Sequence, residues 1–90
     1  MSPYSGGSPW AMARDIGDGF VLVTDRTLSR MSRAELDKLT FELERCLRDL
    51  RGSPSADLET LDLQRRNRKM LKLTGAQRVV RAHLMKRKGR

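Results

Sequence analysis

Apolar residues recur with helical spacing most clearly in the middle of the chain. Leu36, Leu39, Leu43, Cys46 and Leu50 alternate at intervals of three and four, and Leu47 widens the stripe. Ser32-Arg33-Ala34-Glu35 stands ahead of it as a capping box, with Met31 and Leu36 where a hydrophobic staple sits. Arg48 and Arg51 suit the negative end of a helix, and Gly52 suits the position just past it. This pattern predicts a helix from about Arg33 to Arg51.

Ser53-Pro54-Ser55 restarts the chain, with Pro54 fit for a first helical turn and Asp57 and Glu59 favoured near a helix N-terminus. A second helix is expected to run to about Leu73. The short link makes the two helices antiparallel neighbours, a helical hairpin. On the second helix Leu63, Asn67, Met70, Leu71 and Thr74 fall on the face expected to pack against the leucine stripe. Thr74-Gly75-Ala76-Gln77 reads either as a capping box opening a third helix to about Lys86, or as a glycine-weakened continuation of the second. A break or kink is the preferred expectation, with residues 87–90 as a frayed tail.

Ahead of residue 31 the periodicity disappears. Residues 1–19 are rich in Gly, Ser and Pro and are expected to be disordered, because little burial offsets their ordering entropy. The Gly-Gly-Ser-Pro stretch also admits an appended leader over residues 1–11, with the natural start at Met12. Residues 20–24 form a short β-prone run with no second strand to pair with, an extended arm lying on the helices or awaiting a partner. The fold expected is therefore all-α. It comprises a flexible arm over residues 1–30 and, over 31–86, an antiparallel helical hairpin with a third C-terminal helix.

Composition fits this picture. The 90 residues include only two Phe, one Tyr and one Trp, enough for a helical core but poor for a thick sheet. So small a chain is marginally stable alone, which makes a homodimer attractive. No apolar run exceeds Phe20 to Val23, too short to span a membrane, and no secretory signal is evident. A single cysteine supports neither an intramolecular disulfide nor a metal site, so an intracellular home, nucleus or cytoplasm (nucleoid if bacterial), is expected, with no cofactor.

Charge changes the picture most. Residues 1–45 carry six Lys/Arg against seven Asp/Glu, whereas residues 46–90 carry thirteen against four. No acid follows Asp62, while eleven basic residues do. Arg65, Arg66, Arg68, Lys69, Lys72, Arg78, Arg81, Lys86, Arg87 and Lys88 are the candidate anion-binding residues. On the second helix Arg65, Arg68, Lys69 and Lys72 share a face away from the expected packing side. Like charges so close repel, and a polyanion would relieve that cost. Nucleic acid, RNA or DNA, bound through its phosphates is the partner expected first, and an acidic protein surface second. No helix-turn-helix signature, zinc-ligand spacing or aromatic platform in the basic region points to base reading. A weaker reading sets Arg78 to Lys88 against an anionic membrane, with Val79, Val80, Leu84 and Met85 as the apolar side.

Protein contacts have their own candidates. Phe41 falls off the leucine stripe and is expected to be exposed, a plausible anchor for a dimer or partner. Phe20 and Val23 resemble the aromatic-x-x-aliphatic motif that docks on autophagy ubiquitin-like proteins. Val21, Leu22 and Val23 resemble a SUMO-interacting motif. Both imply docking by strand addition, against the plainer reading of an arm that covers the core. Catalysis is not expected: His83 lacks a neighbouring carboxylate in sequence and reads as a surface or interface residue, Cys46 sits at a core position, and Glu42 and Glu44 read as an exposed helix face.

Overall fold

The computed structural model describes residues 4, 6–52 and 59–88, with side chains through residue 86. The fold is all-α, built from α1 (Pro9–Asp18), α2 (Asp25–Ser29), α3 (Arg33–Arg51) and α4 (Thr60–Lys88).

α3 follows its local code closely. The Ser32 hydroxyl accepts from the Glu35 amide at 3.1 Å, and the Glu35 carboxylate accepts from the Ser32 amide at 2.7 Å, so the capping box closes in both directions. Leu36, Leu39, Leu43 and Leu47 are buried, with Cys46 and Leu50 partly so, as the stripe requires. Gly52 ends the helix at φ −77°, ψ −10°, without using the left-handed freedom that glycine offers. The Glu42 side chain lies on the buried side, not on an exposed face, with Arg45 Nη1 3.4 Å from its carboxylate.

The expected break at Thr74-Gly75 does not occur. α4 is one helix of 29 residues, about 43 Å long at 1.5 Å per residue. Leu73, Ala76 and Val80 are buried on either side of the glycine, and their packing outweighs the roughly 1 kcal/mol that Gly costs a helix interior. The helix also carries residues 87 and 88, which were expected to fray. Its anticipated beginning at Pro54 and Asp57 lies outside the described residues.

The larger correction is at the N-terminus. Instead of a disordered stretch, residues 9–18 form α1. Ser8 caps it, its hydroxyl accepting from the Ala11 amide at 3.1 Å, and Pro9 takes the first helical position. Gly19 closes the helix at φ +87°, with its amide donating to the Ile16 carbonyl and the Phe20 amide to that of Asp15, a Schellman arrangement. Met12, Ala13 and Ile16 then enter the core. The Tyr4 hydroxyl donates to the Glu35 carbonyl at 2.8 Å, joining the segment ahead of α1 to α3. Burial first, and the Glu35 charge second, push the Tyr4 phenol above its usual pKa.

α1 packs against both α3 and α4, α3 against α4, and α2 against α4. Thr40 and Glu44 of α3 lie beside Gln77–Leu84 of α4, whereas Cys46, Asp49 and Leu50 lie beside Lys69 and Leu73, so the hairpin is antiparallel as expected. Residues 21–24, between α1 and α2, are outside any helix, and Val23 among them is buried in the core. They cover the core as an extended arm would.

Candidate nucleic-acid interface

The packed face of α4 differs from the one anticipated. Leu73, Ala76, Val80 and His83 are buried, while Asn67 is exposed and Leu71 is 73% exposed. The face is turned by roughly 140° from the expected one at 100° per residue. The cause is α1. With a third helix present, α4 must serve two partners, and its buried stripe centres on Leu73, whose side chain also lies 3.6 Å from where a Cβ on Gly17 would be.

That rotation redistributes the basic residues. Lys69 Nζ stands 3.2 Å from an Asp18 carboxylate oxygen, and Lys86 Nζ stands 2.7 Å from one on Asp25. Lys72 lies directly over Gly19, at the C-terminus of α1, where a cation is favoured. Arg66 is half-buried and engaged within the fold. Arg65, Arg68, Arg78 and Arg81 are exposed and form no ion pair among the described residues. The side chains of Arg87 and Lys88 lie outside the described residues.

The candidates therefore do not form one patch. Lys69, Lys72 and Lys86 fasten α4 to α1 and α2. Arg65 and Arg68 lie exposed on that same flank, with no ion pair among the described residues. Arg78, seven residues on from Leu71, lies on the outermost ridge with Gln64 and Leu71, and Arg81 lies beyond it, bordering a cleft with Thr40 and Glu44 of α3. Asp18 and Asp25, the acids that absorb two of the lysines, do not stand out in the sequence. Their role follows only once Ser8-Pro9 and Gly19 are read as the two ends of a helix.

His83 is buried rather than at the surface. Its Nδ1 lies 3.3 Å from Asp25 Oδ1, and its buried Nε2 has no hydrogen-bond partner among the described residues. The hydrogen bond from Lys86, and next that of His83, hold the Asp25 carboxyl below the usual range. Cys46 is a half-buried free thiol whose pKa is raised, first by burial and then by the nearby Glu42 charge. Among the described residues no group of three His, Cys, Asp or Glu side chains could hold a metal ion.

Phe41 is 59% exposed, off the stripe as expected. It borders a cleft of about 400 Å³ with Pro9, Asp37, Lys38 and Glu42. The two residues of the aromatic-x-x-aliphatic pattern part company, since Phe20 is exposed and Val23 is in the core. The SUMO-type triplet is likewise divided, with only Leu22 fully outward.

No family model, no curated protein and no solved structure matches this chain. Among the described residues no helix is long and apolar enough to cross a membrane.

Proposed function

We propose that this is a non-enzymatic helical protein that binds nucleic acid, or a nucleoprotein complex, through phosphate contacts along α4. One observation carries the reading: Arg65, Arg68, Arg78 and Arg81 are exposed and form no ion pair among the described residues, on a segment that holds no acid after Asp62. Guanidinium groups suit bidentate phosphate contacts, and placing four of them without acidic partners costs repulsion that a polyanion relieves. Arg65 and Arg68 lie to one side of an exposed ridge, Arg78 on it and Arg81 to the other side, a spread that suits a helix laid along a groove. No helix-turn-helix signature, zinc-ligand spacing or aromatic platform accompanies these arginines, so the binding is phosphate-directed and not sequence-specific. Titration of a labelled duplex and a labelled single strand across a salt series tests the reading. Affinity should fall steeply as salt rises.

A second reading, docking to a protein partner, is favoured by the exposure of Phe41 beside Pro9. Phe41→Glu would abolish such docking while leaving nucleic-acid affinity nearly unchanged.

A further inference from the structure

α4 runs unbroken through Gly75, so the arginines along it keep fixed positions on one continuous helix. At 100° per residue, Arg68 and Arg65 lie about 60° and 120° to one side of Leu71, and Arg81 lies about 80° to the other. Arg78 sits within about 20° of Leu71 itself. Arg68 and Arg65 precede Arg81 by 13 and 16 residues, about 20 and 24 Å along the axis. The outward surface between them is open. Gln64, Asn67, Leu71, Gly75, Ala82 and Met85 are exposed, and an added Cβ at Gly75 would meet nothing within 4 Å. From residue 63 to residue 86 the helix holds no acid that would repel phosphate. The result is an uncovered ridge with guanidinium groups on both flanks, suited to a seat between two walls of phosphate. Midway along it Leu71 and Gly75 offer no hydrogen bond to a base edge, so width and charge select the seat.

Resting on the reading of α4 as a nucleic-acid surface, we propose that its ligand is double-stranded DNA and that α4 lies in the major groove. Arg65 and Arg68 then face the phosphates of one strand, and Arg81 those of the other. A helix is about 10–12 Å across; the B-form major groove, about 12 Å wide, admits it, and the minor groove, about 6 Å wide, does not. Duplex RNA offers no equivalent seat. Its major groove is too deep and narrow to enter, and its minor groove is too shallow to wall both flanks. Single strands bound without sequence preference are held by aromatic stacking, and α4 contains no Phe, Tyr or Trp. The span of about 20–24 Å between the two flanks covers about six to seven base steps at 3.4 Å each, within one turn of a duplex.

Titration of the full chain at about 50 mM salt tests this, against a mixed-sequence DNA duplex of about 16 base pairs, the RNA duplex of the same sequence and the DNA single strand. The DNA duplex should bind at least about tenfold more tightly than either of the others. Filling the major groove with glucosylated 5-hydroxymethylcytosine should weaken binding by about tenfold or more, whereas netropsin in the minor groove should change it by less than about threefold. No binding to any of the three overturns the nucleic-acid reading of α4 and this inference with it. RNA or single strand bound as tightly as the DNA duplex overturns the groove assignment alone. So does a filled major groove that leaves affinity unchanged, or displacement of the protein by netropsin.

Discussion

Lys86 and Asp25, 61 positions apart in the chain, meet at 2.7 Å, and His83 stands 3.3 Å from the other oxygen of the same carboxylate. The cluster joins the start of α2 to the C-terminal part of α4. It also withdraws one lysine from the surface available to an anionic partner.

The depressed pKa of Asp25 fixes the sign of a pH effect. Its carboxyl titrates below the ordinary value of 3.8 in the folded protein, so the folded state binds fewer protons there than the unfolded state. The stabilisation is complete well above 3.8 and is lost as pH falls through the folded value. Asp25→Asn should therefore melt below the unaltered protein near neutral pH, and the gap should close on acidification. Thermal melts of both proteins from neutral to strongly acidic pH check this.

The rotated face of α4 gives a paired test. Leu73 is 2% exposed in the core and Leu71 is 73% exposed, although the two lie on the same helix. Leu73→Ala should cost about 2–5 kcal/mol in denaturant unfolding, as truncation of a buried leucine does. Leu71→Ala should stay within about 0.5 kcal/mol of the unaltered chain. Equal costs would mean that α4 packs by the face that carries Leu71.

Two glycines should respond oppositely to alanine. Gly75 sits inside an unbroken helix with open space around it, so Gly75→Ala should stabilise by about 0.5–1 kcal/mol. Gly19 is left-handed at φ +87° and lies against the Lys72 ammonium, so Gly19→Ala should destabilise by about 1 kcal/mol or more. Unfolding midpoints of the two variants check both signs.

The cap of α1 is equally open to test. Ser8→Ala removes the acceptor for the Ala11 amide and should cost about 1 kcal/mol, measured as a fall in unfolding midpoint. A disordered segment would show no change.

The bounds and leucine stripe of α3 are legible in the sequence, because its capping box, leucine spacing and basic last turn all agree over one short stretch, although the burial of Glu42 is not. α1 is not. Its signals are Ser8-Pro9 at one end and Gly19 at the other, and the Gly and Ser residues around them read as linker. The omission propagates: without α1 the hairpin has a single interface, and Leu71 falls on a core face that Leu73 in fact occupies. The helix through Gly75 is hidden for a related reason, since local propensity weighs the glycine but not the burial of Leu73, Ala76 and Val80 around it. The basic segment is evident from the charge pattern. What that pattern cannot disclose is that Lys69 and Lys86 are neutralised by Asp18 and Asp25, which are distant in sequence.

The proposal that α4 binds nucleic acid rests on its four exposed arginines. The direct test is the salt dependence of duplex binding for the unaltered chain beside an Arg65→Gln/Arg68→Gln variant and an Arg78→Gln/Arg81→Gln variant. Binding should be present at about 50 mM salt and fall linearly on a log–log scale, with the slope reduced by about 0.9 for each phosphate no longer neutralised. Both variants should bind more weakly, while Lys69→Gln, which removes a paired charge, should change affinity less. No binding at that salt, or an affinity indifferent to salt and to all four arginines, would overturn the reading.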